Sequence, residues 1–274
     1  MLNINSDLIF LQIGKTTLAN AIVNHFYGVE WEDPFRLVLI PDNQHEGQSQ
    51  SHSQTSWITA YTLPWQQGCR ASYHLTIVDT PGFGDTKGLW GDKSITSQLQ
   101  KFFSERQPKG LDHLDGIGIV LQASAGRLTP TEKYIFDSVL SVFGKDVIKN
   151  IYLMITFADN NRPPVLEAVK EGNIPHVNFF CLNNSAIFAP NEDTAAEAEN
   201  KINAIIWKLG RKNIQNFFTE LQLSKSVSLQ MSEKVLRERD ALEAIIHGIQ
   251  NRIDDGKFIS FVKPIEEDDG LKFF

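Results

Sequence analysis

Leu8-Ile9-Phe10-Leu11-Gln12-Ile13-Gly14-Lys15-Thr16-Thr17-Leu18-Ala19-Asn20-Ala21-Ile22-Val23-Asn24 decides how the chain is read. An apolar run stops, Gly-Lys-Thr-Thr follows, and apolar residues then recur at helical spacing. The order is strand, phosphate-gripping turn, helix. A full phosphate loop, G-x-x-x-x-G-K-[ST], has its first glycine at the end of the strand. That place falls on Ile9, and only Gln12 and Ile13 separate Leu11 from Gly14. Three residue steps span at most ~10 Å. They join a strand to a helix but hardly encircle a phosphate with backbone amides.

Working outward, His74-Leu75-Thr76-Ile77-Val78 runs directly into Asp79-Thr80-Pro81-Gly82. At a strand tip in a nucleoside-triphosphatase, the carboxylate holds Mg2+ through water, and the glycine amide meets the γ-phosphate where no side chain fits. Pro-Gly is also a common turn, but its place after an apolar strand and downstream of Gly-Lys-Thr favours the functional reading. In that reading Gly14, Lys15, Thr16 and Thr17 face the phosphates, with Lys15 on the β- and γ-oxygens and the Thr16 hydroxyl on Mg2+. The polar stretch 42–56 is a long surface loop, where a switch threonine that closes on Mg2+ belongs. Thr55 is the choice there, with Ser53 and Ser56 as rivals. Thr156-Phe157-Ala158-Asp159 ends another apolar run. A carboxylate at that point accepts paired bonds from guanine N1–H and the exocyclic amine, which adenine does not offer. Asp159 therefore sets the base, and Phe157 either stacks on it or packs. Asn184-Ser185-Ala186 follows the last apolar run, where a backbone amide touches the guanine oxygen.

Short apolar runs alternate with helical patterns, which predicts an α/β fold with a mostly parallel six-stranded sheet, helices on both faces and a C-terminal helical extension. Strands are expected at 8–11, 57–63, 73–78, 116–122, 151–156 and 178–182. Helices are expected at 16–27, 92–106, 130–143, 165–171 and 194–221. Thr129-Pro130-Thr131-Glu132 is a good helix start. Beyond residue 226, Val235, Leu242 and Ile249 recur every seven residues, with Met231, Ile245, Ile246 and Ile253 in a second row. The seam suits a coiled coil or a helix folded back on the domain. The expected domains are 8–222, a nucleotide-binding domain, 226–255, a helix, and 256–274, a tail.

Composition narrows the function classes. The chain is 42% hydrophobic and 22% charged, an ordinary globular balance, with a net charge of −7 and no basic run. Nucleic acid is not an expected partner. The cysteines, Cys69 and Cys181, fit no metal spacing, and neither do the histidines. No apolar run approaches the ~20 residues that span a bilayer. The N-terminus lacks the pattern of a signal peptide, so a cytoplasmic location is expected.

These motifs, together with Gly126-Arg127-Leu128-Thr129-Pro130-Thr131-Glu132-Lys133 through Val142-Phe143-Gly144, resemble the AIG1-type GTPases and their septin-like relatives in the TRAFAC class. Trp31-Glu32-Asp33-Pro34-Phe35, Gln54-Thr55-Ser56-Trp57 and Thr156-Phe157-Ala158-Asp159 resemble a branch of animal homologues that write the base motif as TFAD. The resemblance covers residues 8–222. It implies a P-loop GTPase-like domain that binds GTP or GDP with Mg2+ and forms a homodimer or homo-oligomer across the nucleotide face. Catalysis is underspecified: Phe83 stands where many GTPases carry a water-orienting glutamine. A slow GTPase or assembly switch is expected, the alternative being a nucleotide-free scaffold of the same fold. An ATP-dependent kinase fits poorly, since Asp159 is placed for guanine.

Overall fold

The computed structural model describes residues 5–11, 15–41, 57–81, 97–99, 101–105, 110–111, 113–128, 133, 137, 143, 145–159, 161–191 and 197–254. It divides into two compact units, Met1–Val235 and Leu236–Phe274. The first holds a six-stranded sheet of β1 (Asn5–Leu11), β2 (Thr59–Leu63), β3 (His74–Asp79), β5 (Gly116–Gln122), β6 (Ile151–Thr156) and β7 (Asn178–Cys181), in the order β2-β3-β1-β5-β6-β7. All neighbours are parallel except β2 on β3. The short strands β4 (His113–Leu114) and β8 (Val227–Ser228) pair separately, and no apolar pattern announces them.

β1 is central, and its continuous apolar run follows from burial on both faces: Leu8, Ile9, Phe10 and Leu11 are all buried. On one face, Leu8, Phe10, Leu75, Ile77, Tyr152 and Met154 share a core with two helices. These are α1 (Lys15–Phe26), through Leu18, Ile22 and Phe26, and α3 (Glu197–Leu223), through Ile214, Phe217 and Leu221. Gly118 of β5 is required by close approach, because a Cβ there would lie 2.5 Å from the Phe10 ring. α2 (Val165–Glu171) and α4 (Gln230–Asp254) complete the named helices, and residues 97–99 and 101–104 are also helical.

The main strands and helices fall where the pattern predicts, with shifted ends. The second strand begins at Thr59 rather than at Trp57, which is 70% exposed. Thr59 pairs with Asp79, the last residue of β3, so Trp57 and Ile58 have no ladder partner beyond it. The Ile58 amide instead donates to the Gln98 side chain (3.1 Å). β1 begins earlier than expected because β3 supplies partners back to Asn5. The expected helix at 130–143 lies outside the described residues apart from Lys133, Asp137 and Phe143, of which Lys133 and Asp137 are helical. On α4, Leu242, Ile245, Ile246, Ile249 and Ile253 are exposed. No described helix is long and apolar enough to cross a membrane.

Candidate functional site

From β1 the chain builds outward through β2 and β3 on one side, then returns to lay β5 on the other side of β1. The carboxyl edge beside β1 is thus a topological switch point, where open α/β sheets place ligands. Lys15 stands at this edge as the first residue of α1, four residues past the end of β1. It is 8% exposed. Burial pushes its ammonium down from 10.5 to about 8, and the Asp79 carboxylate opposes that shift. Asp79 ends β3 in register with Phe10 and is buried. The next residue, Thr80, donates its hydroxyl to the Phe10 carbonyl at 3.0 Å, tying the two strand tips together. Thr16 is half-buried and Thr17 exposed. Gly14, Thr55 and Gly82 lie outside the described residues, as do Ser53, Ser56 and Phe83.

Two strands across, β6 delivers the second half of the edge. The Thr156 hydroxyl donates to Leu121 O at 3.2 Å, a buried bond that ties β6 to β5. Thr156 itself is buried. Phe157 follows with φ +53°, a left-handed conformation that is uncommon for a bulky residue, and its side chain is 71% exposed. Of its two expected roles, packing in the core is therefore absent. The turn at Phe157 presents Asp159 at the surface. Both oxygens of Asp159 accept from Asn161, from the backbone N–H at 2.9 Å and the side-chain amide at 2.9 Å. Those bonds, the side-chain one first, hold its pKa below the usual carboxylate value.

The Asp159 loop touches the loop after β7. Ala158 N–H donates to Leu182 O at 3.1 Å, and Asp159 helps burial push the Cys181 thiol upward. The Asn183 side chain accepts from Ser185 N–H at 3.1 Å and opens the 3-10 turn Ser185–Phe188. Ala186 is buried, while Asn184 is half-buried and Ser185 exposed. Lys15, Asp79, Asp159 and Asn184 through Ala186 thus share the carboxyl edge of one sheet.

A further element escaped the sequence reading. Buried Asn20 and Asn24, one turn apart on α1, clasp the extended segment that leads into residues 42–56. Asn20 Oδ1 accepts from Leu39 N (2.7 Å) and Ile40 N (3.0 Å), and its Nδ2 donates to Ile40 O (3.0 Å). Asn24 does the same for Leu37, at 2.8 and 2.7 Å. The signal was available: two asparagines at helical spacing on an otherwise apolar face must find buried partners.

No protein-family model matches the chain, and no curated protein matches its sequence. Among solved structures, Toc33 from Arabidopsis thaliana in complex with GDP and Mg2+ superposes with a TM-score of 0.45 at 11% identity, covering 76% of this chain and 85% of that one. A structure titled "Dimerization is important for the GTPase activity of chloroplast translocon components atToc33 and psToc159" gives 0.45 at 14% identity, over 75% and 83%. Cdc11 from Saccharomyces cerevisiae gives 0.39 at 13% identity, over 88% and 100%. Superpositions this loose bear no functional weight, and the sheet order rests on the chain's own strand pairing.

Proposed function

We propose that the chain is a guanine-nucleotide-binding protein of the AIG1-type and septin-like kind, with domain 8–222 carrying the site and 226–255 a helix for assembly. The observation that carries this reading is the sharing of one sheet edge by a buried Lys15–Asp79 charge pair and an exposed Asp159. In the base half, Asp159 would take the guanine N1–H and amine, Phe157 would cover the ring, and amides of Asn184, Ser185 and Ala186 would meet the guanine oxygen. These groups suit a purine, since each Asp159 oxygen keeps a lone pair beyond its bond to Asn161. In the phosphate half, Lys15 would pair with phosphate oxygens, while Asp79, Thr16 and Thr55 would hold Mg2+. Bound Mg2+ would neutralise phosphate charge. The short connection before Lys15 supplies few amides, so the reading is weak binding and slow hydrolysis of GTP to GDP.

A second reading, a nucleotide-free scaffold of the same fold, is favoured by one specific feature: Lys15 already has a buried carboxylate beside it and needs no phosphate for charge balance. Thermal unfolding separates the two. A ligand at ~100 to 1,000 times its dissociation constant stabilises by about 2.7 to 4.1 kcal/mol. GTPγS with Mg2+ is expected to raise the melting temperature, and ATP is not. An unmoved transition at millimolar GTPγS selects the scaffold. Asp159→Asn is expected to remove the preference for GTP over xanthosine triphosphate, and an unchanged preference would refute the role given to Asp159.

A further inference from the structure

Helix α4 carries an apolar seam that faces solvent. Val235, Arg239, Leu242, Ile246, Ile249 and Ile253 follow the alternating four- and three-residue steps of a heptad core, interrupted only by Arg239. The five apolar side chains of that row are between 36% and 61% exposed, and Ile245 beside it is exposed as well. Large apolar groups aligned on one helix face mark an interaction surface, whereas apolar groups scattered singly do not. The same helix holds five acidic and four basic side chains, so it lacks the basic polar face that an anionic lipid surface attracts.

We propose that α4 pairs with α4 of a second copy of this chain as an antiparallel two-stranded coiled coil. The inference rests on the assembly role given above to residues 226–255 and not on nucleotide binding. Charge beside the seam selects the direction. Glu238 and Arg252 flank it on the side of Ile245, and Glu243 flanks it on the other side. A parallel copy would stack Arg239 on its own counterpart inside the seam and set each Glu238 against Glu243 of the other helix. An antiparallel copy centred near Ala244 removes those contacts. Glu238 then stands opposite Arg252 at both ends, with Ile245 against its own counterpart between them. Inside the seam Leu242 meets Ile246 and Val235 meets Ile253, each twice. Arg239 lays its methylenes along Ile249 of the second copy and keeps its guanidinium in water. Glu243 opposite its own counterpart is the one like-charge contact, and Arg239, one turn earlier on the same helix, offsets it.

Sedimentation of the full chain over about a hundredfold range of concentration should show monomer passing to dimer. Ile246→Lys puts a charge into the seam at a position that is exposed in the single chain. It should abolish the dimer and leave the melting temperature in dilute solution unchanged. Glu238→Arg reads the direction. In the antiparallel pair the new arginine meets Arg252, so at low salt the dimer should weaken roughly tenfold. In a parallel pair it would meet Glu243 and strengthen the dimer. Combining Glu238→Arg with Arg252→Glu should restore the original affinity. A dimer that Ile246→Lys leaves intact overturns the proposal, as does one that Glu238→Arg strengthens or leaves unchanged. A monomer at every concentration overturns it too, and of these results only that one also removes the assembly role of residues 226–255.

Discussion

At the scale of single residues, the histidine under α1 has the most consequence for pH. His25 lies edge-on to Phe218, with ring centroids 5.4 Å apart, and faces Arg70, Arg211 and Gln215. Its pKa falls from 6.5 to about 4, chiefly through burial. The unfolded chain therefore takes its proton at higher pH than the folded one. Stability from this group is complete above pH 6.5 and is lost as pH falls toward 4, by on the order of 3 kcal/mol at the acid end. Urea denaturation across that window should show the loss, and His25→Gln should remove most of it. The left-handed Phe157 is the other unusual residue. Nothing in its neighbours along the sequence announced a positive φ, because the strain is imposed by the Ala158–Leu182 and Ala123–Thr156 backbone bonds on either side of it.

At the scale of elements, α1 does two jobs. Its apolar stripe joins the core, as the spacing of Leu18, Ile22 and Phe26 predicts. Its Asn20 and Asn24 hold the segment at 37–40; their spacing signals that they need buried partners, but only the fold shows which ones. Asn20→Leu keeps the size but leaves the Leu39 and Ile40 amides and the Ile40 carbonyl without their partner. The expected loss is about 2–4 kcal/mol, given ~1–3 for each unsatisfied buried group with some relaxation. Hydrogen exchange at Leu39 and Ile40 should accelerate together, more than at the β1 amides. Equal acceleration throughout would mean that the clasp is not a separate element. A second hub sits nearby. The Arg36 guanidinium lies 4.3 Å from the Trp207 ring centroid and 5.3 Å from that of Trp31, and its Nη atoms donate to the Trp31 and Asp33 carbonyls at 3.1 and 2.8 Å. The Trp31–Phe35 segment, singled out in the sequence for its resemblance, is thereby fixed against α3.

At the scale of the whole molecule, the sheet order sets what the strand tips can do together. Lys15 opens the helix that follows β1 and Asp79 ends the neighbouring strand β3, and their charge pair sits where the phosphates of the proposed nucleotide would lie. A polyanion there favours the ammonium form and raises the Lys15 pKa from about 8. Binding near pH 8 should therefore take up part of a proton. Calorimetry with Mg2+ and GDP in buffers of different ionisation enthalpy measures this directly. Lys15→Arg, charged throughout, should bind with no uptake. Binding without uptake in the unaltered chain would place the phosphates away from Lys15.

The sequence by itself determined the alternation of strands and helices, the position of most elements and the residues at the strand tips. Each of these rests on local periodicity and on the chemistry of turns, which short stretches carry in full. It also showed the shortened connection at 12–14 as a matter of counting. Only the tertiary structure decided that Lys15 is buried near Asp79, that the Thr156 hydroxyl bonds to β5, and that Asn20 and Asn24 hold the backbone at 37–40. Those outcomes depend on burial and on partners far apart in the chain, and a linear pattern holds no record of which distant groups will share a low-dielectric space.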